Sequence, residues 1–203
     1  MAKIKLEDLR QIERDSRRKI ILDAALDLFA IKDFRSVTVR EIARHAGVSI
    51  GTLYNYYPNL MELFLDVFLN CTEEITRSLD DMRQAKPPSL DHFCEFYIAY
   101  LNDNMTFYQM MSHLMLGGDL SDDATQKLDE KMKELMNQIE TVLIAAGLQT
   151  NSRLTAHALF SALNGIMISY ARYPGKSDDD IRRQTLRLAK IIASVFNDGA
   201  CCT

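Results

Sequence analysis

Residues 49–57 read Ser-Ile-Gly-Thr-Leu-Tyr-Asn-Tyr-Tyr, a dense set of hydroxyls, one amide and several aromatic faces. Ser49 suits the N-cap of a short helix over about Ile50–Tyr56. On that helix Leu53 and Tyr57 are the obvious core anchors. Thr52, Tyr54, Asn55 and Tyr56 are left pointing outward, with groups that match phosphate oxygens and base edges. Gly51 weakens the helix by about 1 kcal/mol relative to alanine. A missing side chain is what a backbone needs to approach DNA closely. An ordinary helical corner with a polar exterior uses the same residue types, so this stretch alone leaves both readings open.

The elements that would hold this helix lie just upstream. Thr38 is a good N-cap, and Val39, Ile42, Ala43 and Ala46 recur on one helical face. Gly47 supplies the left-handed residue that ends such a helix, and Val48 plugs the corner. Two short helices around a tight glycine turn form a helix-turn-helix, whose second member is narrow enough for a major groove. A longer helix precedes them, with Ile20, Ile21, Ala24, Ala25, Leu28 and Phe29 on its apolar face. Arg17, Arg18 and Lys19 stand at its head. If it starts at Ser16, these cations oppose the helix dipole, a cost that phosphate contact offsets; if it starts near Leu6, they are a solvated face.

The run Thr-Val-Arg-Glu-Ile-Ala-x-x-Ala-Gly-Val-Ser-x-Gly-Thr-Leu-Tyr-x-Tyr-Tyr over 38–57 resembles the DNA-binding signature of the TetR (tetracycline-repressor-like) family. Ala24-Ala25-Leu26-Asp27-Leu28-Phe29-Ala30 and Phe34 resemble that family's first helix and the turn after it. The likeness covers about residues 16–64. It implies that Ser49, Ile50, Gly51, Thr52 and Asn55 meet base edges, and that Thr38, Arg40, Tyr54 and Tyr56 hold phosphates. Two positions depart from the pattern. Asp33 stands where the family has glycine, so a left-handed turn there is expected to survive at some cost. Leu60 replaces a phosphate-binding lysine, which predicts a shallower salt dependence of DNA binding.

Composition agrees with a globular, all-α chain: 203 residues, 47% hydrophobic, 26% charged, with 8 glycines and 4 prolines. The net charge of −4 is unevenly spread. Residues 1–60 hold 11 Lys and Arg against 8 Asp and Glu, a net of +3; the remaining 143 hold 13 against 20, a net of −7. A basic head on an acidic body fits one end meeting phosphate. Cys71, Cys94, Cys201 and Cys202 lack metal-ligand spacing, so no metal and no cofactor is expected. Cys71 and Cys94 read as small buried hydrophobes, and Cys201 and Cys202 as part of a polar tail. The charged N-terminus and the absence of a long apolar run argue for a cytoplasmic protein without a membrane partner.

The expected architecture is about nine helices: a three-helix helix-turn-helix head at 1–60 and a helical ligand-binding and dimerisation domain at 61–203. After the head, helices are expected over about 60–82, 90–102, 105–116, 122–146, 153–173 and 178–197. Proline at 87–88 and 174 and glycine at 117–118, 147 and 175 separate them. Met105, Met110, Met111, Met115, Met132 and Met136 lie near an aromatic cluster, which suits either an adaptable core or a cavity for an apolar ligand.

The resemblance implies such a ligand in the second domain, small and apolar or amphipathic. The candidate lining is Phe96, Tyr100, Phe107, Met111, His113, Met115, Met136, Phe160, Asn164 and Met167. The resemblance further implies a homodimer through the last two helices, bound to a palindromic operator on double-stranded DNA. Asn164-Gly165 is expected to allow close helix crossing. The function implied is a ligand-released repressor. A co-activator of the same fold that docks on a protein is the alternative, and no nucleophile motif, phosphate loop or paired carboxylates point to an enzyme.

Overall fold

The computed structural model describes residues 6–85, 89–117, 120–148 and 151–200, and the side chains of all of these except 81–85 and 198–200. The Pro87–Pro88 stop, Gly118 and the Cys201–Cys202 pair lie outside the described residues. The described residues form α1 (Leu6–Ile31), a 3-10 turn (Phe34–Ser36), α2 (Val39–His45), α3 (Ile50–Tyr56) and α4 (Leu60–Ala85). There follow α5 (Leu90–Asp103), α6 (Met105–Met115), α7 (Asp122–Ala145), α8 (Ser152–Tyr170) and α9 (Asp178–Ala200). No described residue is in a strand.

Of the two starts open for α1, the chain takes the earlier, at Leu6. Arg17 and Arg18 therefore sit in mid-helix, clear of the dipole end, and Arg17 pairs with Glu13 at 2.6 Å. Helix α8 ends at Tyr170, three residues before its expected end. Pro174 disfavours helical geometry at Tyr173, and the chain turns there instead, with the Tyr173 N–H donating to the Tyr170 carbonyl.

The chain forms two compact units, Met1–Cys71 with Gln109–Gln126, and Thr72–Tyr108 with Lys127–Thr203. The core of the first includes the buried face of α1 (Ile21, Ala25, Leu28, Phe29) together with Ile42, Leu53, Leu63 and Phe64. Phe29, Phe34 and Phe64 cluster there, with ring centroids 4.4–6.4 Å apart.

In the second unit α9 packs on α5 and α8. Phe93, Tyr97, Leu101, Leu159, Leu163, Ala189 and Ala193 are buried in it. A row of polar pairs fixes the antiparallel register of α5 and α9: Asp91 with Asn197, Glu95 with Lys190, Asn102 with Thr185, and Asp103 with Arg182. Exposed pairs of this kind contribute little individually, so apolar burial holds the helices and the pairs select the register. Thr185 alone is fully buried, and its hydroxyl accepts from Asn102 Nδ2 and donates to the Arg182 carbonyl. The buried hydroxyl is thus satisfied on both sides.

Candidate functional site

The helix-turn-helix is held by local chemistry at each joint. Thr38 and Glu41 form a reciprocal capping box at the start of α2: Thr38 Oγ1 accepts from the Glu41 N–H, and Glu41 Oε2 accepts from the Thr38 N–H at 2.9 Å. Lys32 Nζ reaches Glu41 Oε1 at 2.6 Å. The Lys32 ammonium and the two Thr38 donors hold the Glu41 pKa down at about 2. At the other end Gly47 takes φ +66°. The Val48 N–H then bonds the Ala43 carbonyl and the Gly47 N–H the Arg44 carbonyl, the double closure of a Schellman motif.

The turn before α2 departs from expectation. Asp33 is not left-handed: its φ is −53° and ψ 123°. Its carboxylate instead caps the 3-10 turn, accepting from the Arg35 backbone N–H at 3.0 Å and from the Arg35 guanidinium at 2.8 Å. The replacement of glycine therefore carries no left-handed strain, because a side-chain cap closes the turn.

Helix α3 buries Leu53, and the following Tyr57 is buried too. Ser49, Ile50, Gly51, Tyr54 and Asn55 are exposed, and Thr52 and Tyr56 are half-buried. Ile50 and Tyr54 stand out as large apolar groups left in solvent, Tyr54 at 52% exposure. Ser49 Oγ is engaged as the N-cap, accepting from the Thr52 N–H at 2.9 Å and lying 2.8 Å from Thr52 Oγ1. Thr38 is likewise committed to its capping box, while Arg40 is exposed. A Cβ built at Gly51 meets only Ser49 Oγ, at 3.8 Å, an ordinary contact. Nothing among the described residues requires glycine there.

Sequence reasoning missed the anchor of this helix. Arg18 on α1 grips Asp66 on α4 through two bonds, 3.0 and 2.6 Å, and Tyr57 at the end of α3 donates to the same carboxylate at 2.5 Å. Burial, followed by the adjacent carboxylate, pushes the Tyr57 pKa up, so the hydroxyl remains a donor. One residue group thus ties α1, α3 and α4 together. Arg14, one turn before Arg18, places its guanidinium carbon 6.0 Å from the Tyr56 ring centroid. The spacing 14, 18, 21, 25 of the α1 stripe was the available signal.

The ligand candidates divide between the units. In the second, Tyr97 and Phe160 meet edge to face at 6.3 Å, and Asn164 Nδ2 donates to the Tyr97 hydroxyl at 3.3 Å and the Phe160 carbonyl at 2.8 Å. Asn164 Oδ1 is buried without a hydrogen-bond partner. Met136 and Met167 are buried, and Phe96, Tyr100 and Phe107 form a chain of rings at 6.3 and 5.8 Å. In the first unit Met111 is buried, Met115 is half exposed, and His113 packs on Phe34 at 4.4 Å and Phe64 at 5.6 Å. His113 Nε2 is also buried without a partner. Cys71 and Cys94 are buried, and burial pushes the Cys94 thiol up to about 12, which keeps it an inert apolar group. No described helix is long and apolar enough to cross a membrane.

Residues 21–67 match the family of bacterial regulatory proteins called the tetR family. An uncharacterized HTH-type transcriptional regulator of Bacillus subtilis, YhgD, is 25% identical over 58% of this chain and 61% of its own length. The HTH-type transcriptional repressor KstR of Rhodococcus jostii is 35% identical over 40% of this chain and 36% of its own. The chain thus spans less than two thirds of these two relatives. A crystal structure of the transcriptional regulator FadR from Bacillus subtilis, in complex with stearoyl-CoA, shares the fold at a TM-score of 0.68 and 19% identity, covering 87% of this chain and 97% of that one. Residues 21–67 thus carry the sequence pattern of the tetR family, on an all-helical fold that most of the chain shares with a solved transcriptional regulator.

Proposed function

We propose that this protein is a homodimeric, cytoplasmic repressor that leaves a palindromic operator when a small apolar or amphipathic molecule binds. The observation that carries the DNA half is the outward face of α3. Residues 1–60 act as the reading head. Ile50, Gly51, Thr52 and Asn55 meet bases, with Ser49 presented at the helix start, and Thr38, Arg40, Tyr54 and Tyr56 flank them at phosphates. Gly51 supports this reading because the fold leaves room for a side chain that the sequence omits.

Residues 61–203 act as the ligand-binding and dimerising body. The unpartnered Asn164 Oδ1, on the side chain that bonds Tyr97 and the Phe160 carbonyl, supports a ligand that brings a hydrogen-bond donor on an apolar frame. An outward stripe on α8 exposes Leu154, Ala158, Ser161 and Ile168, with Gly165 half-buried within it, and α9 exposes Ile191 and Val195. Open space over Gly165 would admit a second helix closely. Two heads in such a dimer reach half-sites about 34–36 Å apart, or further by whole turns. The ligand favours the dimer geometry that cannot span them, with α4, continuous from head to body, carrying the change. Footprinting on a duplex selected by the protein from a random library tests this: two symmetric protected half-sites, lost as long-chain acyl-CoA is added, are expected. Absence of any protection at low salt would remove the proposal.

A further inference from the structure

The buried stripe of α1 does not stop where the core does. Leu28, Ala25 and Ile21 are buried, and the same face continues N-terminally as Arg18, Arg14 and Arg10, at steps of three or four residues. Arg18 is used by Asp66 and Tyr57. Arg14 and Arg10 are exposed, and among the described residues neither has a carboxylate partner. At three and four residues' distance Arg14 has Arg10, Gln11, Arg17 and Arg18, none acidic. Each i,i+4 pair of like charges costs an isolated helix about 0.2–0.5 kcal/mol. Apart from the Tyr56 ring beside Arg14 and the Glu7 and Glu13 that stand three residues from Arg10, folding gives no reason to line them up.

The position supplies one. Arg14 lies over the ring of Tyr56, the last residue of the recognition helix, and Arg10 is about 6 Å further along the same face. We infer that Arg14, with Arg10 beyond it, holds the DNA backbone beside the C-terminal end of α3, so that the N-terminal half of α1 is a second arm of the interface. The aromatic face steadies the guanidinium while leaving its N–H groups free for phosphate oxygens. This rests on the DNA-binding reading above, but concerns residues outside the helix-turn-helix.

The test uses full-length protein and a 30-base-pair duplex of arbitrary fixed sequence, since backbone contacts carry binding of any sequence. Affinity is measured from 50 to 200 mM NaCl for wild type, Arg14→Ala, Arg14→Lys and Arg10→Ala, with circular dichroism to show that each folds. Arg14→Ala and Arg10→Ala are each expected to reduce the slope of log K against log salt by about 0.9 per subunit. Arg14→Lys is expected to keep the wild-type slope. An unchanged slope in Arg14→Ala overturns the inference, even if affinity falls, because that pattern means the arginine only props Tyr56. Failure of wild type to bind duplex at all would instead remove the underlying reading.

Discussion

At the scale of single residues, the fold and the proposed function make opposite demands on Gly51. Within the chain an alanine there makes only an ordinary contact with Ser49 Oγ, and helix propensity favours it by about 1 kcal/mol. Gly51→Ala is therefore expected to raise stability by about 0.5–1 kcal/mol in urea unfolding while weakening duplex binding. Equal or better binding by the variant would show that no close backbone approach occurs. Tyr57 behaves in the opposite way. Its hydroxyl donates to Asp66 in a half-buried setting, so Tyr57→Phe is expected to lower stability by about 1–2 kcal/mol. The same denaturation experiment reads it, and a change below about 0.3 kcal/mol would mean the Arg18–Asp66 pair holds the joint alone.

At the scale of elements, the capping box ties α2 to acid. The Glu41 pKa falls from 4.5 in the unperturbed side chain to about 2 in the folded state. A depressed folded pKa means that its contribution is complete above about pH 4.5 and is lost as pH falls towards 2. Wild type is expected to lose stability more steeply across that window than Glu41→Gln; parallel profiles would contradict the assignment. Much of this was legible beforehand. Thr38, Gly47 and Ser49 announce their caps and turn by residue type, because local hydrogen bonding decides those positions. The start of α1 was not legible, since the partners of Arg18, Tyr57 and Asp66, lie 39 and 48 residues away. Nor was the Asp33 turn, where a side-chain cap replaced the expected left-handed backbone. The pairing of α5 with α9 was hidden for the same reason: Thr185 reads as an ordinary surface threonine until Asn102 is beside it.

At the scale of the molecule, α3 has seven residues and on the proposed reading would specify few base pairs, so useful specificity would require two heads held at a fixed spacing. Leu154, Ile168, Ile191 and Val195 are exposed at 58–71% on α8 and α9. Ile168→Glu with Ile191→Glu is expected to give a folded monomer in sedimentation velocity, with duplex affinity reduced at least tenfold. A persistent dimer would place the symmetric interface elsewhere. The central claim is that the outward face of α3 reads bases, and selection from a random duplex library reads it most directly. Wild type is expected to enrich an inverted repeat, and Asn55→Ala to relax preference at the same base position in both halves. An identical enriched sequence for both proteins, or no enrichment by wild type, would contradict it.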